Sequence, residues 1–154
     1  MKELGEVRSK AVALLSRREY CRREMVEKLI SKGARREHAE SVVEQLSSSG
    51  LISEERFSKA LIRVRVRQGY GPVRIKYELT QRGVADDLAT TCLAEWNDSW
   101  TQQLTRVIER KYKNRPANSF NEWAKRANFL KNRGFTTDQI HENLEKHRKV
   151  SQTE

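Results

Sequence analysis

Four cations recur along one stretch of the chain, Arg56, Lys59, Arg63 and Arg67, at steps of three, four and four residues. At 100° per residue these steps place them on a single helical face. Like charges at such spacings repel by a few tenths of a kcal/mol per pair in an isolated helix. An external polyanion would offset that cost. The basic run continues through Arg65, Arg74, Lys76 and Arg82, and between Arg56 and Arg82 the only acid is Glu78. A plainer reading is a solvated face, with Lys76 and Arg82 pairing locally with Glu78. Tyr70 sits between Gly69 and Gly71. An aromatic there can stack on a base, fill a partner's pocket, or pack the turn. A second basic group lies further on: Arg110, Lys111, Lys113 and Arg115, then Lys125 and Arg126.

Covalent and metal chemistry find no support. His38, His141 and His147 show no ligand spacing with Cys21 or Cys92. Walker, G-x-S-x-G and H-E-x-x-H patterns are missing. The acidic pairs Glu54–Glu55 and Asp86–Asp87 fall at expected helix starts, where they complement the helix dipole. No enzyme, metal site or cofactor is expected.

Composition is compatible with a polyanion binder and equally with a solvated basic protein. The 154 residues carry 31 Lys and Arg against 21 Asp and Glu, for a net charge of +10. Such an excess attracts nucleic acid or acidic protein surfaces over long range. Leu, Ile, Val and Phe make up about 22% of the chain, just above the ~20% below which a highly charged chain is expected to be disordered. The core is therefore thin, and an array of small helical units suits it better than one thick globule. Two isolated cysteines give no disulfide framework; both are expected as reduced thiols, Cys92 as a core filler. No apolar run reaches the ~18 residues of a membrane span, and the N-terminus lacks a signal core. A cytoplasmic protein is expected.

The elements that must position these cations repeat about every fifty residues. Aligned on glycine, Leu29, Leu79 and Leu130 share one position, Gly33, Gly83 and Gly134 a second, and Val43, Leu93 and Leu144 a third. Each unit reads as a helix, a basic residue plus glycine, then a second helix. Lys32, Arg82 and Arg133 precede those glycines and serve as C-terminal caps. A further helix precedes each pair, over residues 4–17, 54–68 and 100–112. In the middle one, Phe57, Ala60, Leu61 and Val64 form the expected apolar stripe. Capping boxes are expected at Ser99–Gln102, Ser119–Glu122 and Thr136–Gln139, and Pro72 opens a helix after Gly71. Trp96, Trp100 and Trp123 are expected to pack the join of the second and third units. The fold class is thus all-α, an elongated array of three tandem three-helix repeats: 1–50, 51–98 and 99–150, with a flexible tail at 151–154.

The middle unit carries a recognisable order of residues. "GLISEERFSKALIRVRVRQGYGPVRIKYELTQRGV" resembles the central signature of the RecX family, regulators of the RecA recombinase. The matching positions are Gly50, Glu54, Glu55, Arg56, Phe57, Gly69, Gly71, Pro72, Arg74, Ile75, Glu78, Leu79, Arg82 and Gly83. "FLKNRGF", Phe129 to Phe135, looks like that family's C-terminal signature. The departures are Glu-Glu where Asp is common, and Cys21 where a Ser or Thr cap is usual. The resemblance covers roughly residues 10–147. It implies three helical repeats and binding to the RecA filament on single-stranded DNA. It also implies limits on filament growth, ATP hydrolysis, strand exchange and co-protease action. Contact with single- or double-stranded DNA is compatible with it, and a monomer is expected. The contact candidates are Arg56, Lys59, Arg63, Arg67, Tyr70, Arg74, Lys76, Arg110, Lys111, Lys113, Lys125 and Arg126. Gly69, Gly71 and Pro72 build the corner, Phe57, Leu61, Val64, Ile75 and Leu79 hold its helices, and Gly83 and Gly134 end the helices that follow. The rival reading is a direct DNA-binding regulator with helix-turn-helix-like units.

Overall fold

The computed structural model describes residues 3–153, with side chains described from 3 to 145. Nine helices and no strand occur among them: α1 (Leu4–Leu15), α2 (Arg22–Ser31), α3 (Arg36–Ser48), α4 (Glu54–Arg67), α5 (Pro72–Gln81), α6 (Asp86–Ala94), α7 (Trp100–Tyr112), α8 (Phe120–Asn132) and α9 (Thr137–Thr153). They form the three expected triplets. Helix α9 continues into the segment expected as a tail, and Glu154 lies outside the described residues.

Turn chemistry sets the helix ends. Gly33, Gly83 and Gly134 take φ of 102°, 94° and 100°, a region that costs a residue with a Cβ. The next amide then reaches back to close the helix, Ala34 to the Leu29 carbonyl at 3.0 Å, Val84 to Leu79 at 3.0 Å and Phe135 to Leu130 at 3.2 Å. At Thr136 the capping box is reciprocal: its N–H donates to Gln139 Oε1 at 2.9 Å, and its Oγ1 accepts from the Gln139 N–H at 3.1 Å. Ser119 Oγ accepts from the Glu122 N–H at 3.2 Å, while the Glu122 carboxylate accepts from the Asn118 N–H at 2.8 Å. Ser99 differs from expectation. Its backbone is already helical (φ −101°, ψ −14°) and its side chain caps nothing, because the cap geometry needs an extended backbone.

The α4 stripe is also rotated from the expected one. Ser58, Ile62 and Val66 are buried at steps of four, with Phe57 beside them, whereas Val64 is 42% exposed. A ridge with a spacing of four packs the helix without Val64. Ile75 and Leu79 are fully buried, as expected for the corner.

The chain divides into two compact units, and the middle triplet contributes to both. One unit runs to Leu61 and includes Leu79–Ala89. Its core gathers Val7, Ala11, Met25, Leu29, Val42, Val43, Leu46 and Ile52. The buried Cys21 sits at the start of α2 and donates its thiol to the Arg82 carbonyl at 3.4 Å; burial pushes its pKa up. Beside it, Arg23 donates to the Gln81 carbonyl at 3.2 Å. Glu24 receives Arg18 and Arg82, each at 2.9 Å, and that hydrogen bond raises the Arg18 pKa.

The other unit holds Ile62–Glu78 and everything from Thr90 onward. Here the Gly71 N–H donates to the Arg133 carbonyl at 2.7 Å, and the Val73 N–H to Gly134 at 2.9 Å. Gly71 has room for no side chain: a Cβ there would lie 2.6 Å from backbone atoms of Gly134 and Phe135. Gly134 is equally tight, since its Cβ would strike Arg74. Trp100 is buried, 6.1 Å from Trp96 and edge-on to Phe135 at 6.4 Å. Trp123 does not join them. It stacks on Phe120 and meets His141 inside the third triplet, because its place on α8 faces α9.

Replacing Gly71 by Ala should lower stability by about 2–3 kcal/mol, as forced overpacking does. Gly5→Ala, with nothing within 4 Å of the added Cβ, should leave stability unchanged or raise it by up to ~1 kcal/mol. Urea unfolding midpoints of the two variants check this contrast.

Candidate polyanion-binding cleft

The twelve contact candidates separate into groups. Arg56 belongs to local structure. Its Nε donates to Glu19 at 3.1 Å and its Nη2 to the Gly50 carbonyl at 2.7 Å. Lys59 pairs with Glu55 one turn earlier at 3.0 Å. Two of the four cations on the α4 face therefore have their own counterions. Tyr70 and Arg74 build the corner. The Arg74 guanidinium lies 4.2 Å from the Tyr70 ring centroid, and Arg133 lies 5.0 Å from it. Of the three roles open to Tyr70, this contact with two cations matches packing of the turn. Lys76 lines a shallow depression with Pro72, Val73 and Leu93.

Arg63 and Arg67 are exposed and line a cleft of about 450 Å³ in the unit that contains α7 and α8. Helix α7 presents Gln103, Arg106, Val107, Arg110 and Lys111 to it, at helical spacing. Arg133 closes one side, donating to the Gln68 carbonyl at 3.1 Å with its guanidinium 5.2 Å from the Phe129 ring centroid. Arg110 donates to the Arg67 carbonyl at 3.4 Å. Trp96, Phe129 and Val66 complete the wall, and no carboxylate lines it.

Six cations in one concavity concentrate positive potential between low-dielectric walls. Five of them are arginines, whose planar fork matches phosphate and carboxylate oxygens in pairs. Arg65 is removed from this set. It grips Glu78 through two bonds of 2.6 and 2.7 Å, which raise its pKa. The sequence reading missed Arg106 and took Arg133 only as a cap. The step of four from Arg106 to Arg110 was the available signal for the first. The second needed the tertiary contact of its helix end with Gln68.

Lys111 also borders a second pocket, of about 470 Å³, with Lys113, Lys125 and Arg126. Apart from Arg110, which lines the cleft, the candidates of the second basic group thus come together around the α7–α8 connection.

The described residues thus form an all-α chain of three-helix units with a basic, carboxylate-free cleft. Three descriptions match it in order: "RecX, first three-helix domain" over residues 8–46, "RecX, second three-helix domain" over 53–93 and "RecX, third three-helix domain" over 98–144. The chain belongs to the RecX family. It is 41% identical over 134 residues to the regulatory protein RecX of Halorhodospira halophila, covering 87% of this chain and 83% of that one. Over 137 residues it is 40% identical to that of Pseudomonas fluorescens Pf-5, covering 89% and 88%. The crystal structure of RecX from Lactobacillus salivarius shares the fold, with a TM-score of 0.77 at 21% identity over 96% of this chain and 97% of that one.

Because Arg56 ties α4 to Glu19 and Gly50, Arg56→Ala should cost roughly 1–2 kcal/mol of stability. Arg63→Ala, facing the open cleft, should cost under ~0.5 kcal/mol. Paired thermal melts of the two variants test this.

Proposed function

We propose that this protein regulates RecA, binding its filament on single-stranded DNA through the cleft formed by α4, α7 and α8. Membership of the RecX family supports the regulatory role. The observation that carries the contact surface is the set of Arg63, Arg67, Arg106, Arg110, Lys111 and Arg133 around one cavity without a carboxylate. Such a surface suits the phosphates of filament DNA or acidic side chains of the recombinase. Occupation of the filament would limit its growth, ATP hydrolysis, strand exchange and co-protease action, and so moderate recombinational repair and the SOS response. The role is non-catalytic, performed in the cytoplasm by a monomer. Among the described residues no helix is long and apolar enough to cross a membrane.

The test is RecA ATP hydrolysis on single-stranded DNA, titrated with this protein at two salt concentrations. Inhibition is expected, and no inhibition at any ratio would sink the reading. The Arg63→Glu/Arg67→Glu variant should need about tenfold more protein for half-inhibition, equivalent to ~1.4 kcal/mol of binding. Its helicity and melting temperature should not change. Strong RecA-independent DNA binding with a sequence preference and a steep salt slope would favour the direct DNA-binding regulator instead.

A further inference from the structure

The second pocket contains a charge that the fold does not balance. Arg126 as a residue is 7% exposed. Its guanidinium lies 4.1 Å from the Tyr112 ring centroid. No carboxylate or carbonyl among the described residues accepts a hydrogen bond from it. Its stem is buried while its nitrogens are not sealed from solvent, and an anion in the pocket would give them charged acceptors. Arg126 borders the open pocket of about 470 Å³, where an anion would reach it.

The surroundings favour the same ligand. Lys111, Lys113, Arg115 and Lys125 share the lining. The one acid there, Glu122, has Oε2 occupied by the Asn118 N–H at 2.8 Å. The loop is shaped with effort: Lys113 and Asn114, neither of them glycine, take φ of 50° and 64° in succession. Unusual backbone of this kind clusters at ligand sites. The aromatic rings are already engaged. Tyr112 lies against Arg126 and meets Phe129 edge-on at 6.2 Å, and Lys111 covers Phe129 at 4.4 Å. A base would find little to stack on, whereas a tetrahedral oxyanion would find forked and point-charge donors.

We infer that the pocket beside the α7–α8 connection is a phosphoryl-binding site, with Arg126 at its base, for the phosphate of a nucleotide, whether free or within a nucleic-acid backbone. Recognition is of the phosphate and indifferent to the base. The site is distinct from the cleft, although Lys111 borders both, and it does not depend on binding to RecA.

The test is thermal unfolding of the full chain with inorganic phosphate, against chloride at matched ionic strength. Phosphate at about ten times its Kd should raise Tm by roughly 3 °C or more. Absence of a phosphate-specific shift would overturn the assignment. Arg126→Met keeps the bulk and removes the charge. It should melt at the wild-type temperature or above without phosphate, and lose the phosphate shift; a retained shift would overturn the proposal. If that variant does not fold, Lys113→Ala/Lys125→Ala decides, since both side chains are exposed. A several-fold weaker phosphate Kd is expected, and an unchanged Kd rejects the site. Competition by a short oligothymidylate would identify a backbone phosphate. Competition by thymidine monophosphate alone would identify a free nucleotide, and competition by neither would overturn the nucleotide assignment.

Discussion

Close approach of backbone to backbone at helix corners is the constraint on which the rest of the molecule depends. Around Gly71 two peptide segments meet with no side chain between them, and the amides of Gly71 and Val73 donate across the gap. Those bonds fix how α5 meets the end of α8 without drawing on the thin apolar core. A contact made by side chains holds the equivalent place in the other unit, fifty residues earlier in the chain. There Cys21 and Arg23 take the places of Gly71 and Val73, and bond to the carbonyls of Arg82 and Gln81. The partner groups differ, thiol and guanidinium in place of amides, but both contacts use carbonyls at the end of a second helix. A short polar clasp of this kind lets small helical triplets join where each alone would bury too little surface.

The clasp also sorts the charges. Cations that hold the corners together are satisfied locally: Arg56 by Glu19, Arg65 by Glu78, Arg82 by Glu24, Arg74 by the Tyr70 ring. Ten other cations line the cleft and the second pocket, where no acid or only one is present. The positive field of the protein is therefore set by which arginines the architecture consumes and which it leaves over. The +10 of the whole chain is a poor guide to that field, because balanced pairs contribute little beyond their own surroundings.

Much of this was legible in the sequence. The repeat of Leu29, Leu79 and Leu130 with Gly33, Gly83 and Gly134 gave three triplets, since a helix end needing positive φ leaves a glycine behind. The ranges of α4 and α7 followed from the apolar periodicity, although the Ser99 cap before α7 does not form. The burial of Ile62 and Val66 in place of Val64 was not legible: two apolar stripes overlap on α4, and only packing chooses between them. The site was legible in part. Arg63, Arg67, Arg110 and Lys111 stand out by spacing, but local sequence cannot show that Arg56 finds Glu19, thirty-seven residues away. Nor can it show that Tyr70 has its ring covered. Arg126 stood out as basic, and its burial depends on Tyr112 reaching it from another helix.

The third triplet has no glycine corner like that of the second. Where the second passes from α4 to α5 through Gly69 and Gly71, the third passes from α7 to α8 through a longer connection that begins with Lys113 and Asn114. The corner of the second triplet is packed shut against the backbone of Gly134 and Phe135, whereas the connection in the third borders an open cavity lined by Arg126. One kind of turn thereby serves cohesion, and the other presents charge to solvent.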